Sequence, residues 1–166
     1  ILDDNTAIVQ LRAPGKSYVH LRGDFNNFVI NNSSLMRKST DGNLHWMQLN
    51  NLDPDVQYRY HFLCDGNLEI GDPYGTLVLD PWEDQYISAA TYPDMPSYPT
   101  GQAYWQQTVF QTVEPEFGWT DQNFQRPPSD RLIIYETLVR DFDETQTFQD
   151  VIAVSYTHLR AHETSE

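Results

Sequence analysis

VQYRYHFLCDGNLEIGDPY, residues 56–74, is the stretch whose reading decides the fold. Its side chains alternate, with Val56, Tyr58, Tyr60, Phe62 and Cys64 on one face and Gln57, Arg59, His61 and Leu63 on the other. Period-two alternation in a run rich in aromatic residues marks a half-buried β-strand. Asp65-Gly66 then turns the chain, because this pair readily supplies the positive φ angles of a tight hairpin turn. Leu68-Glu69-Ile70 is a short return segment that ends at Asp72-Pro73.

Working outward, Asn5–Ala13 (NTAIVQLRA) alternates with Ala7, Val9 and Leu11 on one face, and Tyr18–Arg22 (YVHLR) is a second strand beyond the turn Pro14-Gly15-Lys16. GDFNNF, residues 23–28, leaves that strand through residue types that tolerate turn geometry. Leu35-Met36 is a short apolar pair. Asp41-Gly42-Asn43 leads into His45–Leu49 (HWMQL), and Gly75–Asp80 (GTLVLD) is again extended. Turn signals recur at roughly ten-residue intervals with no helical stripe before residue 140, the spacing of an immunoglobulin-like β-sandwich. Trp46, Tyr60 and Phe62 are the expected large core residues.

Residues 90–105 (ATYPDMPSYPTGQAYW) read as a connection packed through its tyrosines and Trp105. Gln106–Val113 rejoins the sandwich as a last strand, giving a first domain of 1–113. Residues 114–131, with Pro115, Pro127 and Pro128, read as a linker. The character then changes. Leu132–Tyr135 (LIIY) is a continuous apolar run, as expected of a strand buried on both faces. Thr147-Phe148-Gln149-Asp150 matches a capping box opening a helix that includes Val151 and Ile152. A strand followed by a helix start is the opening of an α/β unit, over 132–153.

Composition narrows the function classes. The chain of 166 residues is 39% hydrophobic, which suffices for a packed core. Ten basic against twenty-four acidic residues give a net charge of −14. Phosphate backbones and anionic headgroups are repelled by such a chain, so neither nucleic acid nor a membrane is an expected partner. Uncharged, hydroxyl-rich ligands carry no such penalty. Cys64 is the single cysteine, which excludes an internal disulfide, and its phase with Tyr60 and Phe62 makes it a small buried hydrophobe. No signal-like segment is visible after Ile1, and the compartment is left open.

Three stretches together resemble the N-terminal part of an alpha-amylase-family (family 13) glycoside hydrolase: GDFNNF at 23–28, YHFLCDG with GDPY at 60–74, and LIIYETLVRDF at 132–142. In that family an early-set sandwich, similar to the family-48 carbohydrate-binding modules, carries a G-x-F-N-x-W loop and a Y-x-F-x-V-D-G hairpin. A D-P-Y segment follows, then an L-D-P-W-like segment (here Leu79-Asp80-Pro81-Trp82), then the first strand of a catalytic (β/α)8 barrel. The resemblance implies a parent enzyme that acts on α-glucans by a retaining mechanism, with two carboxyl groups roughly 5 Å apart. The barrel strands that bear the family's Asp, Glu and Asp are not in this chain. No catalytic residue is therefore assigned, the chain alone is expected to be inactive, and its missing barrel is an implied partner. No metal or cofactor is implied. Glu136 and Asp141 stand at a barrel-strand exit, where active sites gather, but they read as loop-positioning residues or partners of Arg140. A second reading, a non-enzymatic glycogen- or starch-binding module or adaptor used alone, is disfavoured by LIIYETLVRDF. Residues 154–166 resemble translated sequencing adapter and are read as a non-native tail.

The resemblance also places sugar-binding candidates. Phe28 stands where glycogen-binding relatives carry the first Trp platform, His61 where they carry a basic residue, and Leu68 where they carry a second Trp. The platform is reduced at Phe28, weakened at His61 and lost at Leu68, so the sandwich reads as mainly structural. Asp65, Asn67 and Glu69 alternate like the start of a calcium loop, but Ile70 stands where that loop needs glycine. His158 and His162 offer only two metal ligands, and neither orients Ser155 as a nucleophile. Asn31-Asn32-Ser33 fits a glycosylation acceptor.

Overall fold

The computed structural model describes residues 1–114, 118–120, 122–132, 134, 136–142, 144 and 147–153. Two compact units share the chain, one formed by 1–86 with 96–116 and the other by 87–95 with 117–166. The first is mainly β. Its strands are β1 (Ala7–Arg12), β2 (Val19–Gly23), β3 (Arg37–Lys38), β4 (Leu44–Leu49), β5 (Tyr58–Cys64), β6 (Leu68–Ile70), β7 (Leu77–Leu79) and β8 (Gln107–Phe110).

They form two antiparallel sheets, β1-β4-β3 and β2-β5-β8-β7, with β6 pairing β5 beyond the end of β8. In the first sheet Ala7 lies opposite Leu49 and Leu11 opposite His45; in the second Leu21 lies opposite Phe62 and Val19 opposite Cys64. Period-two alternation therefore gives each sheet one apolar face. Ala7, Val9, Leu11 and Leu49 from the first and Val19, Leu21, Tyr60, Phe62 and Cys64 from the second close a common core, with Met36 and Leu52. Phe62 is fully buried, which contributes about 1.5–3 kcal/mol. The segment 34–36 bonds the free edge of β2, through Leu21 N–H to the Ser34 carbonyl and Met36 N–H to that of Val19. It then crosses to the other sheet as β3.

Asp65 and Gly66 both have positive φ, 50° and 76°, as their hairpin position requires. Three expectations need correction. Trp46 is not a core residue. Strand β4 turns His45, Met47 and Leu49 inward, so Trp46 lies on the outer face, where the Arg37 guanidinium sits 5.1 Å from its ring centre. The organising strand begins at Tyr58, because Val56 N–H still closes the Asp53-Pro54 turn. Strand β5 is also not half-buried throughout: from Tyr60 to Cys64 both faces are covered.

In the second unit Ser129–Arg131 and Val139–Asp141 are 3-10 turns and residues 148–153 are helical. Thr147 caps that helix as expected, with its hydroxyl accepting from Asp150 N–H at 3.3 Å. The Asp150 carboxylate accepts from the Thr147 hydroxyl, whereas a capping box would use the Thr147 amide. Leu132 and Ile134 pair with no strand, and Ile134 is 85% exposed. Ile133 and Tyr135, like residues 154–166 with His158, His162 and Ser155, lie outside the described residues. No helix of the described residues is long and apolar enough to cross a membrane.

Candidate functional site

The loops on the outer side of β2 and β5 gather the polar residues of the first unit. Gly23 ends β2 where side chains have no room: a Cβ there would lie 2.6 Å from the Arg59 carbonyl and 2.8 Å from the Phe25 ring. The 3-10 turn Asp24–Asn26 follows, clamped by Asn26, whose amide accepts from Gly23 N–H at 3.0 Å and donates to the Leu21 carbonyl at 2.8 Å. Asn27 and Phe28 then both take left-handed backbone angles, φ 51° and 57°. Asn tolerates this conformation; Phe does so only at a cost of about 1–2 kcal/mol. The strained turn delivers the Phe28 ring onto His61, with centroids 5.9 Å apart and planes within 25°.

The structure thus brings the two sugar-binding candidates together, and it buries both. Phe28 is 3% exposed and His61 0%, so neither offers a face to a ligand. His61 is instead the hub of a polar network. The Gln107 amide nitrogen donates to the Trp105 and Gln106 carbonyls, so its oxygen faces His61 Nδ1 at 2.8 Å and must accept. Nδ1 therefore carries the proton, leaving the Nε2 lone pair to accept from Arg22 at 3.3 Å. Glu69 lies 3.6 Å from Nε2 and 3.9 Å from Arg22. Burial pushes the His61 imidazole below its ordinary pKa, Gln107 and Glu69 oppose this, and Arg22 reinforces it.

This hub holds the 98–106 loop from beneath. Arg22 donates to the Gln102 carbonyl, and Glu69 accepts from Tyr104 N–H. The Trp105 carbonyl accepts from both Gln107 and the Tyr98 hydroxyl at 2.8 Å. Burial first, then the Glu69 and Asp80 carboxylates, pushes the Tyr98 phenol up to about 12, which keeps it a donor. Trp105 itself is half-exposed, contrary to its expected packing, and meets the half-exposed Trp82 edge to face, centroids 5.1 Å apart. Asp80 anchors this corner by accepting from the backbone N–H groups of Trp82 and Glu83 and from the Gln106 amide.

Neither a family model nor a curated protein matches the chain. Function must be read from the side chains themselves. The acidic residues of the recognised motifs serve the scaffold: Asp24 binds Arg59, Asp72 accepts from the Tyr60 hydroxyl at 2.7 Å, and Asp80 ties its own loop. Asp65 and Glu69 do not converge on a cation, because Asp65 accepts from Ser17 and Tyr18 N–H and pairs with Lys16 while Glu69 serves the His61 hub. Among the described residues no group of three metal-ligating side chains exists. Leu68 is exposed on β6 and supplies no platform. Asn31 turns its side-chain oxygen onto Ser33 and Ser34 N–H, an exposed Asx turn. A recess of about 340 Å³ on the outer face of β4 is lined by Leu35, Arg37, Trp46 and Gln48, but Arg37 already covers the indole.

Sequence reasoning missed Arg22, Glu69 and Gln107 as a cluster, since they meet only through strand pairing. It also missed the exposure of Trp82 and Trp105. Two tryptophans bracketing proline-rich loops were the available signal.

Proposed function

We propose that the chain is the N-terminal part of an alpha-amylase-family glycoside hydrolase that acts on α-glucans by a retaining mechanism. Its sandwich is immunoglobulin-like and scaffolds a catalytic (β/α)8 barrel whose first strand and helix start lie in 132–153. The observation that carries this reading is the order and spacing of GDFNNF, YHFLCDG with GDPY, LDPW and LIIYETLVRDF. The sandwich supports it, because the first two motifs come together as the buried Phe28 ring on the buried His61, while Asp24 of the first grips Arg59, the residue before the second, in a partly buried ion pair. The catalytic carboxylates belong to later barrel strands, so the 166-residue chain has no hydrolytic activity of its own.

The decisive experiment is to read and express the uninterrupted frame past Ala153. Seven further β/α repeats carrying an Asp nucleophile, a Glu general acid and a further Asp are expected, with release of reducing sugar from glycogen or amylose. A frame without those repeats, or a purified full-length protein inert on every α-glucan, overturns the reading.

A further inference from the structure

We propose that the Trp82–Trp105 corner is a stacking subsite for an α-glucan chain, separate from the buried Phe28 and His61 positions. The two indoles meet at 83°, so together they form an open right-angled wall rather than a closed pair. Each remains about half exposed, and the neighbouring Tyr104 ring is exposed as well. Two indoles left half open side by side form a contiguous apolar surface that gains from being covered.

The backbone beneath the rings is tied at the Trp82 N–H and at both carbonyls. Trp82 N–H donates to Asp80 at 2.8 Å, and its carbonyl accepts from Gln85 at 2.6 Å. The Trp105 carbonyl accepts from Tyr98 and from Gln107, which is itself oriented by His61. The hydrogen bonds of both residues thus run through the main chain. Rings held out on a fixed backbone are pre-organised, which lowers the entropy lost on binding.

The surroundings select the ligand. Gln85 and Gln106 flank the rings with their amide nitrogens tied to the Trp82 carbonyl and to Asp80, which leaves their amide oxygens to accept from ligand hydroxyls. An anionic ligand meets a chain of net charge −14. An uncharged pyranose chain, apolar on its C–H face and hydroxylated at its rim, satisfies both the indole wall and the polar flank. That the linkage is α rests on the proposed function above.

The test is native affinity electrophoresis of the 166-residue chain in gels containing glycogen, with maltoheptaose titrations followed by tryptophan fluorescence. Retardation and a saturable fluorescence change are expected, each weakened about tenfold in Trp82→Ala and in Trp105→Ala. Trp82→Tyr, which keeps a ring, should recover part of the loss. Trp46→Ala on the opposite sheet should leave binding unchanged, and thermal midpoints confirm that each variant is folded. Wild-type migration unaffected by glycogen overturns the subsite, as does retardation that survives both alanine variants. Cellohexaose or laminarin binding without maltoheptaose binding overturns the ligand class. The two proposals fail separately: an active full-length enzyme whose corner binds nothing refutes only the subsite. A binding corner on a frame lacking barrel repeats refutes only the enzyme.

Discussion

Arg59 grips Asp24 with its whole polar edge: Nε reaches one carboxylate oxygen at 2.9 Å, Nη2 the other at 2.7 Å, and the Arg59 backbone N–H the first again at 2.7 Å. The free arm of the guanidinium, Nη1, donates to the Ser97 carbonyl at 2.7 Å. One side chain thereby fixes the loop after β2, strand β5 and the start of the 97–106 loop. Bidentate geometry and partial burial set this pair apart from ordinary surface ion pairs.

Removing either partner strands the other in a partly buried place. Asp24→Ala and Arg59→Leu should each lower unfolding free energy by about 2–3 kcal/mol in urea titrations. The double variant should cost less than the sum of the two, with a coupling of about 1 kcal/mol or more. Additive losses would mean that the two groups act independently.

His45 is the weak point of the core. It is fully buried in β4, and neither ring nitrogen has a hydrogen-bond partner. An unpaired buried polar group costs free energy that an apolar side chain of similar volume avoids. His45→Leu should raise stability by about 1–2 kcal/mol, read as a higher urea midpoint at pH 7.5 with unchanged slope. A lower midpoint would show that the imidazole is satisfied in solution.

Much of this scaffold is legible in the sequence because alternation is a local signal. The strands around Ala7–Leu11, Val19–Leu21 and Tyr60–Cys64 follow from it, and Asp65-Gly66 announces its own turn. Trp46 is misplaced by the same reasoning, since HWMQL alternates either way. Only the register of Leu11 on His45 decides which set points inward. The burial of Phe28 and His61 is less legible still, because it depends on loops from 24–34 and 96–106 folding over β5. The hub of Arg22, Glu69 and Gln107 joins β2, β6 and β8, and no spacing along the chain records that.

Stability should fall in mild acid. Burial pushes the imidazoles of His20, His45 and His61 below their ordinary pKa, with neighbouring Arg22 or Lys38 acting in the same direction. The unfolded chain then binds protons that the folded chain refuses, so these groups favour folding fully above about pH 6.5 and lose that contribution as pH falls below it. The unfolding free energy from urea titrations should decline from pH 7.5 to pH 5, with a slope of at most about 1.4 kcal/mol per pH unit for a fully buried group and less for the part-exposed His20. His45→Leu should flatten the decline. A midpoint that rises over this range would contradict the burial of the imidazoles.

Gly23 should be intolerant of any side chain. Its φ of −175° suits every residue, so the constraint is steric and not conformational. A methyl group would press on the Arg59 carbonyl and the Phe25 ring, both under 3 Å from its position. Relieving that contact must shift β5 or the Asp24 turn, and with it the Arg59 grip. Gly23→Ala should cost about 1–3 kcal/mol in urea titrations. A neutral effect would show that the loop after β2 moves freely of β5.

Cys64 offers a probe of the whole sandwich. Cys64 is buried in the common core, and its neighbours across the two ladders are Val19 on β2 and Leu68 on β6. Burial leads in raising its pKa, with Asp65 adding and Lys16 opposing, so little reactive thiolate is present. Reagent can reach the sulfur only when β5 loses one of its neighbours, and β5 is the strand on which β2, β6 and β8 all depend. Alkylation by iodoacetamide at pH 7.5 should therefore be on the order of a thousandfold slower than in the urea-unfolded chain. It should also accelerate in Asp24→Ala in proportion to that variant's lost stability. Rapid stoichiometric labelling of the native chain would mean that β6 opens on its own, and the hairpin would then be the least stable part of the sheet.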